Sequence, residues 1–196
     1  MNIPNQLTVM RIFMTPIFLA ALVIDFPFHY FVALLVFGIA SLTDFWDGKI
    51  ARKYHLITNF GKFLDPIADK MLTTAAFLGF ILLGHGAGIV WITFLVLVRE
   101  FIVASMRMMA ASKGNVVAAD KWGKIKTVVQ MFAVVLVLAS HGTIDLLATY
   151  APTFTALNQP LIIAYTVVLW ISAALTVISG VNYLWKNKDC LGLKDL

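Results

Sequence analysis

Residues 44–69 read Asp44-Phe-Trp-Asp47-Gly48-Lys49-Ile-Ala51-Arg52, then eight residues, then Gly61-Lys62-Phe-Leu-Asp65-Pro-Ile-Ala-Asp69. Four of the chain's ten acidic residues fall in this one stretch. Asp44 and Asp47 stand at i, i+3, and Asp65 and Asp69 at i, i+4, so on helices each pair shares a face. The sequence before Asp44 and after Lys70 is apolar for more than ten residues. The carboxylates therefore sit at the ends of two hydrophobic segments joined by a short polar connection. A short connection makes the two helices antiparallel neighbours.

The rest of the chain fixes the medium. Of 196 residues, 61% are hydrophobic and 13% charged, against about 45–50% and about 25% in soluble domains. Mean hydropathy is +0.89. A soluble globule of this size cannot hide that much apolar surface, so a cytosolic enzyme, a disordered chain and a secreted disulfide scaffold are excluded. Cys190 is the single cysteine and has no internal partner.

A membrane helix needs about 20 apolar residues. Six such segments are predicted, at about 6–25, 29–53, 61–84, 88–111, 124–141 and 160–185. The expected fold is an all-α integral membrane bundle of six transmembrane helices forming one domain over 1–196. Pro27, the glycines between 84 and 88, the polar run 112–123 and the stretch 142–159 with Pro152 mark the breaks. The first segment is not expected to be a cleaved signal, because Arg11 lies inside its apolar pattern.

The net charge of +5 is distributed unevenly. Lys49, Arg52, Lys53, Lys62 and Lys70 flank the second connection, Lys113, Lys121, Lys124 and Lys126 the fourth, and Lys186, Lys188 and Lys194 follow the last segment. The first, third and fifth connections carry no Lys or Arg. By the positive-inside rule both termini and the even-numbered connections are expected on the cytoplasmic side. Nucleic-acid binding has no soluble basic face to use.

Intramembrane carboxylates cost about 2.5–3.5 kcal/mol each on insertion scales. Lys49, Arg52, Lys62 and Lys70 could pair with them. Alternatively, carboxylates clustered without His or Cys suit hard divalent cations, Mg²⁺ or Mn²⁺ rather than Zn²⁺. Four of them can hold two ions about 3.5–4 Å apart, an arrangement used in phosphoryl displacement. Gly48, Ala51 and Gly61 beside them permit close helix packing and equally leave room for a bulky ligand. Arg52 could hold a phosphate with its planar fork.

The spacing D-x2-D-G-x2-A-R-x8-G-x3-D-x3-D resembles the signature of the CDP-alcohol phosphotransferase family at every fixed position. The resemblance implies a six-helix, usually dimeric membrane enzyme that transfers a substituted phosphate from a CDP-linked donor to an alcohol and releases CMP. It implies that Asp44, Asp47, Asp65 and Asp69 are the metal ligands for two Mg²⁺, and that Asp69 also serves as general base. Gly48 and Ala51 would line the cytidine site, Arg52 would contact the diphosphate, and Gly61 would leave space beside the nucleotide.

Two further elements resemble the branch of the family that makes phosphatidylglycerophosphate. One is the N-terminal run Asn2-Ile-Pro4-Asn5-Gln-Leu-Thr8-Val-Met-Arg11-Ile12. The other is Arg99-Glu100, Arg107 and Gly123-Lys124-Ile-Lys126-Thr127 with Gln130. The implied donor is CDP-diacylglycerol and the implied acceptor sn-glycerol 3-phosphate. Asn5, Thr8 and Arg11 are candidates for the donor site, or else cap the helix and snorkel to headgroups. Arg99, Arg107, Lys124 and Lys126 are candidates for the acceptor phosphate. Against this, Arg99-Glu100 reads as a local ion pair and the lysines as positive-inside topology. Rival functions are a sister enzyme using phosphatidylglycerol, inositol phosphate or serine, and, more remotely, a divalent-cation transporter. His29, His55, His85 and His141 fall around the connections and read as interfacial. The sixth segment contributes only hydropathy.

Overall fold

The computed structural model describes residues 2–53, 59–112, 121–151 and 156–187. Among them the regular structure is helical: α1 (Ile3–Val23), α2 (His29–Lys53), α3 (Asn59–Leu83), α4 (Ile89–Ser112), α5 (Lys121–Tyr150) and α6 (Asn158–Lys186). Every expected segment is a helix. Four are long and apolar enough to cross a bilayer: α1, α4, α5 and α6. In α2 and α3 the purely apolar portions are shorter, His29–Thr43 and Lys70–Leu83. Both helices are 25 residues long, or about 37 Å at 1.5 Å per residue. Their remaining turns carry the charged signature.

The fifth helix departs from expectation. The sequence places a connection at 142–159, yet α5 runs on to Tyr150. Gly142 is no break, because a Cβ there would lie 3.0 Å from the Phe31 ring. It is a close-packing position. Thr143 and Thr149 donate their hydroxyls to the carbonyls of Ala139 and Asp145 at 2.8 and 2.9 Å, which keeps both side chains satisfied inside the helix. Pro152 then disfavours helical conformation in the residue before it.

The distribution of side chains is that of a membrane protein. Phe13, Leu82, Trp91, Phe101 and Trp185 are exposed, whereas Asn5, Thr8, Arg11, Lys126, Gln130, Ser172 and Thr176 are buried. Such an outer surface would aggregate in water and is at home against lipid. Arg11, at 1% exposure, is among the most completely buried large side chains.

The chain divides into two compact units. The first comprises Met1–His85 and Val134–Ile162. Here α1 packs against both α2 and α3, which touch each other far less over their described residues. Its buried stripe is Asn5, Thr8, Arg11 and Thr15, followed by Phe18 and Leu22. The spacing of three and four residues keeps them on one face. Phe18 meets Phe37 with ring centroids 5.6 Å apart. A Cβ on Gly79 would strike Leu22.

The second unit comprises Gly86–Ala133 and Ile163–Leu196. Near its start Trp170 of α6 covers Gly88, donating from Nε1 to the Ala87 carbonyl at 3.0 Å. Gly88 has φ +76° and its missing Cβ would fall 2.7 Å from the Trp170 ring, so both backbone and space require glycine. Further along, Arg99 meets Ser179, and Val103 and Met106 pack with Tyr183. These contacts advance together along both chains, so α4 and α6 run parallel.

Candidate functional site

The signature stretch holds its helical spacing. The α2 backbone continues unbroken through Asp44 and Asp47 to Lys53, and α3 is helical from Asn59 through Asp65 and Asp69. Each carboxylate pair is therefore one turn apart on its own helix, as the spacing predicts. What the side chains of Asp44, Asp47, Asp65, Asp69 and Arg52 contact, and what surrounds Gly48, Ala51 and Gly61, lies outside the described residues.

Register with α1 supplies the level of the carboxylates. Antiparallel packing pairs Phe18 with Phe37, and continuing it places Arg11 level with Asp44 and Thr8 level with Asp47. Parallel packing pairs Leu22 with Gly79, and continuing it brings Asp65 level with Thr8. Asn5, Thr8 and Arg11, at 7%, 3% and 1% exposure, form the buried polar half of the same α1 face. They neither cap nor snorkel. The helix begins before Asn5, its N-cap is Asn2, and Arg11 does not reach the surface. Arg11 thus brings a buried guanidinium to the α1 face that packs on α2 and α3.

Four carboxylates, with no His or Cys at the motif's fixed positions, are hard oxygen donors and fit Mg²⁺ or Mn²⁺. Among the described residues no group of three or more His, Cys, Asp and Glu is arranged to hold a metal.

The acceptor-side candidates all lie in the second unit. Glu100 is the hub. Arg99 Nη1 donates to Glu100 Oε1 at 2.8 Å, and Lys126 Nζ donates to the same oxygen at 2.6 Å. Lys126 is 3% exposed and cannot be a topology marker bathing in water. The Arg99–Glu100 ion pair read from the sequence is present, extended by a third member. Arg107 lies over the Tyr183 ring, 5.7 Å from its centroid. Lys124 is exposed. Gln130, one turn beyond Lys126, is buried.

Two groups of residues were missed by sequence reasoning. On α6, Ser172, Thr176, Ser179, Gly180 and Tyr183 form a buried stripe. The only signal was small and polar residues at steps of three and four in an otherwise apolar run.

The second group is a histidine cluster at the other end of the first unit from the carboxylates. The Tyr30 hydroxyl and His85 Nε2 share a hydrogen bond of 2.6 Å, and the His85 and His141 rings stack with centroids 3.5 Å apart. His29 donates from Nδ1 to the Leu22 carbonyl at 3.1 Å and turns Nε2 toward Asp145 at 3.6 Å. His29, Asp145 and Asp25 line a cavity of about 540 Å³. Burial, with His141 and His29 close by, pushes His85 down to about 3, so it is neutral at physiological pH. Three of the four histidines are thus built into one cluster rather than scattered at the interface. His55 lies outside the described residues.

Comparison with known proteins agrees with the motif. The pattern of the CDP-alcohol phosphatidyltransferase family matches residues 1–179. The chain is 37% identical over 202 aligned positions to the CDP-diacylglycerol–glycerol-3-phosphate 3-phosphatidyltransferase of Bacillus subtilis, covering 97% of each chain. Proteins of the same name from Rickettsia bellii and Haemophilus influenzae are 38% and 36% identical, covering 93% of both chains in the first case, and 97% of this chain and 95% of the relative in the second. With an intact signature on two helices and a match over nearly its whole length, this chain belongs to the CDP-alcohol phosphatidyltransferase family.

Proposed function

We propose that the chain is a phospholipid-synthesising transferase that moves the phosphatidyl group of CDP-diacylglycerol to sn-glycerol 3-phosphate, giving phosphatidylglycerophosphate and CMP. The observation that carries this reading is 37% and 38% identity, over nearly the full length, to relatives bearing that activity in their names. The buried polar face of α1 and the cationic group around Glu100 supply the two kinds of anion site it requires.

Asp44, Asp47, Asp65 and Asp69 would hold two divalent ions, Mg²⁺ or Mn²⁺. When bound, such ions neutralise the donor diphosphate and the charge that develops on departing CMP. Arg52 and the α1 residues Asn5, Thr8 and Arg11 bind and orient the donor, with Gly48, Ala51 and Gly61 leaving room for its cytidine. Asp69 takes the proton from the acceptor's primary hydroxyl, whose oxygen attacks the lipid-linked phosphorus. The bond from that phosphorus to the CMP oxygen breaks, and CMP leaves. Arg99, Arg107, Lys124 and Lys126 hold the acceptor phosphate. Displacement is direct, because none of the signature's fixed positions is a His, Ser or Cys that could act as a nucleophile.

In this reading all six helices span a bacterial cell membrane as a single domain, with both termini and the active site on the cytoplasmic side. The working form is a homodimer. The test is CMP release by purified protein from CDP-diacylglycerol with sn-glycerol 3-phosphate and Mg²⁺. Release with sn-glycerol 3-phosphate, and not with phosphatidylglycerol, inositol phosphate or serine, supports it.

A further inference from the structure

Arg99 is threaded through a slot made by two glycines. A Cβ on Gly180 of α6 would lie 3.0 Å from Arg99 Cγ. One on Gly123 of α5 would lie 3.4 Å from Arg99 Nη2 and 3.8 Å from Ser179 Oγ. The guanidinium is then held from two sides. Nη1 donates to Glu100, and Nη2 donates to Ser179 Oγ at 2.8 Å. Its Nε is sealed from solvent and has no hydrogen-bond partner among the described residues.

One turn beyond Ser179, Tyr183 is 2% exposed. Its ring packs on Val103 and Met106 of α4 and lies beneath Arg107. Its hydroxyl is also buried with no partner among the described residues. Two orphaned donors, one on each of two adjoining helices, are unusual, because buried polar groups are nearly always satisfied. Charge points the same way. Two guanidinium groups meet this part of α6, Arg99 on Ser179 and Arg107 over the Tyr183 ring. A phosphate monoester carries nearly two negative charges at neutral pH.

We propose that α6 forms part of the acceptor-phosphate site: Tyr183 donates its hydroxyl to the phosphate, and Ser179 is a positioning residue that fixes Arg99 for it. The inference rests on the reading of the chain as a glycerol-3-phosphate phosphatidyltransferase and adds a helix to its acceptor site. Ser179 does not touch the substrate. It sets which way the Arg99 fork points.

The test compares full-length parent, Tyr183→Phe, Ser179→Ala and Ser179→Thr, purified in detergent. Tyr183→Phe and Ser179→Ala should each raise KM for sn-glycerol 3-phosphate by about tenfold, the loss of one charge-assisted hydrogen bond. KM for CDP-diacylglycerol should change less than about twofold, and Ser179→Thr should restore most of the loss. Unchanged KM for the acceptor, or equal changes for both substrates, would overturn the proposal. A second readout needs no turnover. sn-Glycerol 3-phosphate, but not glycerol, should raise the melting temperature of the parent and should do so much less for Tyr183→Phe. If that protection is present and depends on Tyr183 while no CMP is released, the site stands and the reaction reading falls. If the parent turns over normally and both variants match it, the α6 proposal alone falls. Should Tyr183→Phe fail to fold, the Ser179→Ala and Ser179→Thr pair decides by the same split in KM.

Discussion

Lys126 Nζ and Glu100 Oε1 are 2.6 Å apart, with side chains only 3% and 15% exposed. Arg99 shares the same carboxylate oxygen. Removing Glu100 leaves two buried cations facing each other without their shared anion. Breaking a buried pair from one side costs about 3–5 kcal/mol. Glu100→Ala is therefore expected to lower the melting temperature far more than Lys124→Ala, whose side chain is exposed. Differential scanning fluorimetry in detergent checks this, and equal small shifts would show that Glu100 does not hold the group together.

The two cationic sites should separate in kinetics. Arg11 lies on the α1 face level with the signature carboxylates, and Arg107 lies over Tyr183 in the second unit. Arg107→Ala should raise KM for sn-glycerol 3-phosphate by about tenfold or more, the value of a charge-assisted contact, with little change for CDP-diacylglycerol. Arg11→Ala should do the reverse. Initial rates with each substrate varied in turn provide the measurement, and the same substrate affected by both changes would contradict the division of sites.

Asp69→Asn should lower kcat at least about a hundredfold, the lower range for loss of a general base, without unfolding the protein. A chelator should abolish parent turnover, and added Mg²⁺ should restore it. Appreciable turnover by a folded Asp69→Asn protein would exclude Asp69 both as base and as a required ligand.

The histidine cluster predicts a pH dependence of stability. His85 is held well below the ordinary histidine value of about 6.5, near 3, by burial and by the neighbouring imidazoles. The unfolded chain therefore takes up a proton on His85 below about pH 6.5, while the folded chain does not until about pH 3. Stability from this group is fully present above about pH 6.5 and is lost progressively as pH falls toward 3. Melting temperature should fall over that range, and His85→Gln should flatten the fall. A parent slope matched by the variant would show that other groups set it.

The signature was legible because its chemistry is local. Asp44 and Asp47 on α2, and Asp65 and Asp69 on α3, need only helical spacing to stand one turn apart on their own helix. The α1 donor candidates were also legible as a one-turn pattern, although their burial was not. Sequence reasoning left Arg11 free to snorkel, and only packing against α2 and α3 shows it enclosed. The end of α5 was misjudged because Gly142 and the threonines after it look like a break until Phe31 is seen against Gly142. His29 at the start of α2, His85 between α3 and α4, and His141 within α5 are far apart in sequence and carry no spacing signal. Ser179 and Tyr183 acquire meaning only when α6 is laid parallel to α4 and meets Arg99.

The most direct test of the central claim is CMP release by the purified full-length protein in detergent with CDP-diacylglycerol and Mg²⁺, comparing sn-glycerol 3-phosphate with phosphatidylglycerol, inositol phosphate and serine. Release with sn-glycerol 3-phosphate alone, abolished by chelator, is the predicted result. Release with a different acceptor, or none from folded protein with any of the four, would contradict the account.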